Sequence, residues 1–242
     1  QTKPSEDTVL GEDGRRALAF GAPITLCAFL GDAFNGSPLE IASTTPDGDL
    51  HLLAQAGILG ATMIGLLLAR DAARFAAAKK GGVELAKPLA LPSFDTGVLA
   101  RRISFASYPS NAEGLFDVVL AGPLVGLAAS TAALLVGLQM TAAAGTEALA
   151  GFPSLPSSLL QGSSFVGSLV DAFLHTNLGA QDIVAERIAM HPLAVGGAVA
   201  MLWNAATVLP LPGSDGKTAI DTLNNELPVA AVASFLATTF VV

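Results

Sequence analysis

Long stretches without charged side chains alternate along this chain with short segments that carry most of its charge. About 20 consecutive apolar residues cross a bilayer, and an ionisable group within the hydrocarbon is costly. These largely apolar stretches therefore predict membrane spans, of which the last is incomplete, at residues 16–34, 51–80, 112–140, 191–211 and 228–242. In the second, residues 51–69 hold no acidic or basic residue other than His51, and the helical pattern continues to Lys80. We expect an all-α polytopic membrane protein with four to five transmembrane helices, consisting of a polar segment over 1–15 and a single membrane domain over 16–242.

Two connections between these spans carry structure of their own. Residues 89–109 contain β-branched and aromatic side chains between prolines, which predicts a short β-hairpin-like loop near the membrane. The loop 141–190 is first rich in Ser, Gly and Pro, and then places apolar residues at helical spacing over 163–174. This spacing favours a helix at the membrane interface, with a helix of a soluble domain as the weaker alternative.

The charges of the connections predict the topology, because Lys and Arg accumulate on the side of a membrane that is not translocated. The connections 35–50 and 141–190 are acidic and hold a single base, Arg187. Spans two and four therefore run in the same direction, and their C-terminal ends lie at the same face. The basic residues that mark this face are Arg15, Arg16, Lys79, Lys80, Lys87, Arg101 and Arg102.

The composition agrees with a membrane protein and excludes several classes of function. Hydrophobic residues form 52% of the 242 residues and charged residues 13%, whereas charged residues approach a quarter of a soluble domain. The net charge of −8 argues against a nucleic-acid binder, since phosphate binding needs clustered Lys and Arg. Cys27 is the single cysteine, which excludes an intrachain disulfide framework and a cysteine-based metal site.

Polar groups at the ends of apolar spans are the candidate functional residues. Arg70 and Arg74 lie four residues apart on one helical face at the end of span two, with Asp71 beside them. Asp215 follows span four in a turn rich in Pro and Gly. Because spans two and four are parallel, we expect Asp215 to be able to meet the two arginines.

Around these residues the sequence resembles the site-two protease family of intramembrane zinc metalloproteases, in its plastid and cyanobacterial branch. The resemblance covers residues 50–224 and implies a core of that family's type. One family motif, Phe-Asp-x-x-x-Ala-Gly-Pro-x-x-Gly, is matched over 116–126. A second stretch is similar to the last core helix of the family, with matches at His191, Pro192, Leu209, Pro210, Asp215 and Gly216.

The chain departs from that family at its metal site. In the family, a His-Glu-x-x-His helix and a distant Asp bind zinc, and the Glu activates the attacking water. An arginine has no lone pair to offer a metal, so the resemblance implies a pseudoprotease that is not an enzyme and holds no zinc. The degenerate positions are Arg70, Asp71, Arg74 and Asp215, with Asn204, Thr207, Pro210 and Gly216 near the former site.

We predict that Arg70 and Arg74 pair with Asp215 as an ionic clamp in place of the metal. A carboxylate near the hydrocarbon would otherwise be costly, and a guanidinium group stabilises it through charge-assisted hydrogen bonds. The alternative is that both arginines snorkel to the membrane surface and extend the positive loop.

The histidines and the polar residues of span four have ordinary interpretations. His51 and His191 lie at the starts of parallel spans and could share a ligand, but interfacial capping or solvation is favoured, and His175 is expected to face solvent. Trp203 and Asn204 could line a cavity or coordinate a pigment or lipid. Helix packing through an interhelical hydrogen bond explains Asn204 equally well.

Together these features predict a structural or accessory subunit, or an assembly factor, of a larger membrane complex. The branch resembled implies a chloroplast thylakoid membrane, with a photosystem or its antenna as the partner, lipids or peripheral pigments as ligands, and no nucleic acid. The alternative is an active or regulatory intramembrane metalloprotease with a divergent metal site. A transporter is disfavoured because charges well inside the spans are nearly absent, and few side chains are available there to bind the pigments of an antenna protein.

Overall fold

The computed structural model describes residues 32–34, 49–85, 89–91, 100–102, 112–176, 187–209, 215–216 and 219. The first long helix, α1, spans Asp49–Lys80 and carries Lys79 and Lys80 in its last turn, where cations interact favourably with the helix dipole. It ends where Gly82 takes a left-handed conformation with φ 65°. The Val83 N–H then bonds the Ala78 carbonyl at 2.9 Å, which satisfies an acceptor that the helix end leaves open.

A two-stranded antiparallel sheet follows α1, formed by β1 (Leu89–Leu91) and β2 (Ala100–Arg102). Leu89 pairs with Arg102, and Leu91 with Ala100. These paired strands confirm the predicted hairpin-like loop over residues 89–91 and 100–102. The second long helix, α2, spans Ala112–Ala143 and contains Pro123 in its interior.

Three short helices and two strands are described in the long loop that follows α2. In chain order they are α3 (Thr146–Ala150), β3 (Ser154–Pro156), α4 (Ser157–Gln161) and α5 (Ser164–Leu174), and β4 (Arg187–Ala189) then pairs antiparallel with β3. The side chain of Ser163 caps α5 by accepting from the Val166 N–H. Val166 and Val170 are fully buried in the core, and α5, the helix predicted over 163–174, packs against α2.

The last helix described, α6, spans Pro192–Val208. Pro192 occupies its first turn, where the missing N–H costs nothing, and the His191 ring accepts from the Leu193 N–H at 3.2 Å. Most of its residues are buried, and it lies against both α1 and α2. The core of the described chain is therefore a packed group of three helices, α1, α2 and α6.

Close contacts establish the directions of these helices. A Cβ added to Gly196 would meet Thr62 of α1, and further along both helices Arg70 and Asn204 line one cleft, so α1 and α6 are parallel. A Cβ added to Gly137 of α2 would overlap the backbone of Ala194, near the start of α6. Because Gly126 lies against Asn204, nearer the end of α6, α2 runs antiparallel to it.

The described residues are mostly helical, as predicted, and include two helices that are long and apolar enough to cross a membrane, His51–Lys80 and Gly114–Ala143. The predicted count of four to five spans is not confirmed. The span predicted over 191–211 is the 17-residue helix α6. The spans predicted over 16–34, apart from its last three residues, and over 228–242 lie outside the described residues.

Candidate functional site

The structure brings together three of the side chains singled out in the sequence, Arg70, Arg74 and Asp215, which we call the ionic cluster. The Arg70 Nη2 donates to Asp215 Oδ2 at 2.9 Å, and the Arg74 Nη2 contacts the same carboxylate oxygen. The side chains of Arg70 and Arg74 are only 11% and 8% exposed. The snorkelling alternative requires both arginines to extend into solvent, and neither does.

The two arginines share a face of α1 because they are four residues apart in a continuous helix. Asp215 is 145 residues from Arg70 in sequence and follows the C-terminal end of α6. Gly216 fixes its placement, because a Cβ at this position would overlap the Val208 carbonyl oxygen at the end of α6. Only glycine lets the turn lie against the helix end and direct the preceding carboxylate toward α1.

Helix α2 completes the surroundings of the cluster. The Arg74 Nη2 donates to the Val119 carbonyl of α2 at 3.4 Å. A Cβ built on Gly122 would contact Arg74 Nε at 3.4 Å and Arg70 Cγ at 3.5 Å, so α2 approaches α1 closely at the level of the arginines. Asp71, the fourth charged residue predicted here, is also buried.

The predicted neighbours of the former site in α6 make local contacts. The Asn204 Nδ2 donates to the Ala200 carbonyl of its own helix at 2.8 Å, so the interhelical hydrogen bond expected of Asn204 is not the one observed. The Asn204 Oδ1 has no hydrogen-bond partner in the described part of the chain, and its amide packs on Gly126. The Thr207 hydroxyl donates to the Asn204 carbonyl at 2.8 Å.

One small cleft between α1 and α6 adjoins the ionic cluster. Its walls include Met63, Arg70, Trp203 and Asn204, so Trp203 and Asn204 line a cavity, one of the roles predicted for them. Pro210, also predicted to lie near the site, is outside the described residues.

The histidines lie at the other end of the helices, away from the ionic cluster. His191 caps α6 and packs edge-to-face on Phe152 with a centroid separation of 5.4 Å. His51 is exposed, and its Nε2 is 3.4 Å from the Gln55 amide nitrogen. His175 is exposed at the end of α5.

A second polar junction, which the sequence did not predict, is centred on Arg187 at the opposite end of the core. The Arg187 Nη2 donates to the Asp32 carbonyl at 2.8 Å and to the Ser154 carbonyl at 2.9 Å. Its Nε donates to the Ser154 hydroxyl at 3.0 Å. The only signal in the sequence is that Arg187 is the lone base of the acidic connections.

Comparison with known proteins identifies plant relatives. The chain is 30% identical over 217 residues to the "Probable zinc metalloprotease EGY1, chloroplastic" of Oryza sativa subsp. japonica, a match that covers 84% of this chain and 36% of the relative. It is 29% identical over 158 residues to the Arabidopsis thaliana protein of the same name, covering 65% of this chain and 28% of the relative. The chain thus spans about a third of the length of these relatives.

A different kind of protein also matches part of the chain. The "DDT domain-containing protein PTM" of Arabidopsis thaliana is 30% identical over 131 residues, which are 54% of this chain and 7% of that protein. No family model and no solved structure matches the chain.

The relatives overturn one prediction from the sequence. The chain was expected not to be an enzyme, but both EGY1 relatives are named zinc metalloproteases and point to a protease family. The description of the chain as a pseudoprotease is therefore contradicted by these comparisons. The degenerate motif at Arg70, Asp71 and Arg74 does not by itself establish the absence of activity.

The names of the relatives imply zinc, and the ionic cluster does not fit that metal. Zinc sites in proteins are built from Cys, His, Asp and Glu ligands, whereas two of the three cluster side chains are guanidinium groups, which have no lone pair. Within the described ranges, no group of three or more His, Cys, Asp or Glu residues could hold a metal ion. Asp215 is the sole carboxylate of the cluster, and its oxygen contacts two cations instead.

The similarity and the structure agree on the setting of the chain. The EGY1 relatives are chloroplastic by name, and two of the described helices suit a membrane. The match to the Oryza sativa relative covers 84% of this chain. The chain is therefore similar to plant chloroplastic proteins of the EGY1 type, named probable zinc metalloproteases, which agrees with its resemblance to the site-two protease family.

Proposed function

We propose that the chain is a structural or accessory subunit, or an assembly factor, of a larger membrane complex in the thylakoid membrane. The observation that carries this proposal is the ionic cluster at the position where the site-two protease family binds its metal. The contacts of Arg70 and Arg74 with Asp215 connect α1 to the turn after α6. The three-helix core therefore has a connection between its parallel helices that requires no bound metal.

The outer surfaces of the long helices support a role in association. Several large apolar side chains are exposed on α1 and α2. The apolar part of α1 is less buried than that of α2, so within the described residues α1 presents the larger exposed surface to lipid and to neighbouring membrane subunits. The exposed side chains on these two helices include Leu53, Ile64, Leu68, Phe75, Leu124 and Val136.

The direct test is gentle detergent extraction from native membranes, followed by a native gel and mass spectrometry of the proteins that migrate with the chain. We expect stoichiometric comigration with one large assembly, of which a photosystem or its antenna is the first candidate. Asp215→Asn should weaken this association by loosening the core, whereas Asp117→Asn, at an exposed position of α2, should leave it unchanged. Migration of the wild-type chain alone would contradict the proposal.

The second candidate function is an active or regulatory intramembrane metalloprotease with a divergent metal site, which the names of the EGY1 relatives favour. Because the ionic cluster does not fit zinc, its metal ligands would have to include residues other than Arg70 and Arg74. Elemental analysis of the purified full-length protein distinguishes the two functions. Stoichiometric zinc that is lost in Asp215→Ala would favour the protease and would contradict a metal-independent cluster.

A further inference from the structure

Pro123 lies inside α2, four residues after Val119. In an α-helix the carbonyl of residue 119 accepts from the N–H of residue 123. Proline has no backbone N–H, so the Val119 carbonyl loses its helical donor. Val119 is 2% exposed, and an unpaired carbonyl at such a position is costly, above all in a membrane.

Arg74 supplies the missing donor. Its Nη2 donates to the Val119 carbonyl at 3.4 Å, and the same nitrogen contacts Asp215. An Nη2 nitrogen carries two hydrogens and can serve both acceptors at once. Gly122, one residue before the proline, lies against the arginines, since an added Cβ would be in van der Waals contact with Arg74 Nε at 3.4 Å.

We propose that Pro123 is a positioning residue of the ionic cluster, because it frees the Val119 carbonyl in α2 to hold the Arg74 guanidinium against Asp215. The cluster then joins three helices: Arg74 belongs to α1, Val119 to α2, and Asp215 follows α6. This inference rests on the proposed role of the cluster in holding the core. It assigns a physical function to Pro123 of α2 that the contact between the arginines and Asp215 alone does not require.

The two arginines have different roles in this arrangement. In the described part of the chain, the hydrogen bond of Arg70 is the one to Asp215, whereas Arg74 reaches both Asp215 and Val119. Arg70 therefore provides a matched control for Arg74. Both carry the same charge, lie on the same face of α1 and contact the same carboxylate oxygen.

A double-mutant cycle tests the proposal in the purified full-length protein. Pro123→Ala restores an N–H for the Val119 carbonyl, so Arg74 is no longer needed there. The loss in Tm caused by Arg74→Met should be at least halved in the Pro123→Ala background. The loss caused by Arg70→Met should be the same in both backgrounds.

Each contradicting result would identify a different contact as the one that fails. Equal losses for Arg74→Met with and without Pro123 would overturn the positioning role of Pro123. If neither Arg70→Met nor Arg74→Met lowers Tm, the role of the cluster itself fails. If the methionine variants do not fold, modification of the arginines by phenylglyoxal, followed by peptide mapping, tests Pro123→Ala alone. In this variant Arg74 should react faster than in the wild type, and the reactivity of Arg70 should be unchanged. Unchanged reactivity of Arg74 would overturn the proposal.

Discussion

Removing the charge of Asp215 is the sharpest perturbation of the ionic cluster. Asp215→Asn keeps the size of the side chain but leaves Arg70 and Arg74 without the carboxylate that both contact. Breaking a buried ion pair from one side costs about 3–5 kcal/mol, because the remaining charge is uncompensated. The Asp215 side chain is 22% exposed, so water solvates the site in part, and we expect a loss near the lower end, about 3 kcal/mol.

This loss corresponds to a decrease in Tm of about 6–12 °C for a chain of this size. The fluorescence of Trp203 reports it directly, since this is the single tryptophan of the chain and lines the cleft beside Arg70. The measurement is thermal unfolding of the full-length protein in mild detergent. Asp117→Asn removes one acidic charge at an exposed position and should change the stability by less than about 0.5 kcal/mol.

A fully apolar replacement separates an ion pair from a simple packing contact. Replacing all members of a buried ionic group by apolar residues of similar volume is often neutral or stabilising. The triple variant Arg70→Met, Arg74→Met and Asp215→Leu should therefore be more stable than Asp215→Asn alone. An unchanged Tm for Asp215→Asn, or a triple variant less stable than the single one, would refute the reasoning.

Three further perturbations test other parts of the structure by the same thermal assay. Gly137→Ala places a methyl group on the backbone of Ala194 and should lower the stability by about 1–3 kcal/mol through overpacking. The control Gly60→Ala meets no neighbouring atom within 4 Å and should be neutral or stabilise the helix by up to about 1 kcal/mol. Equal effects of the two variants would show that α2 and α6 are not in close contact. Arg187→Met should destabilise the chain more than Asp32→Asn, because Arg187 also bonds two backbone carbonyls and Asp32 is 66% exposed, and the reverse order would contradict the second junction. A chelator such as EDTA should leave Tm unchanged, and a marked decrease would indicate that a metal contributes to the fold.

The hydrophobic pattern predicted the long helices because charge is excluded from hydrocarbon and a helix satisfies its own backbone. The spans expected over 51–80 and 112–140 correspond to α1 and α2. The prolines and β-branched residues likewise predicted the paired strands β1 and β2. The long loop was less predictable, because its second small sheet pairs residues 154–156 with 187–189, and no local pattern specifies a partner so far along the chain.

The sequence alone determined which groups could form the site, because charge and spacing are local properties. These groups are two arginines one helical turn apart and an aspartate that follows the C-terminal end of a helix parallel to theirs. Only the tertiary structure decided how they meet. Arg74 finds its second partner in Val119, a residue with no polar side chain, because Pro123 removes a backbone donor and α2 packs against the arginines at this level. A backbone carbonyl becomes available through helix geometry and packing, which depend on three separate segments and so cannot be read from any one of them.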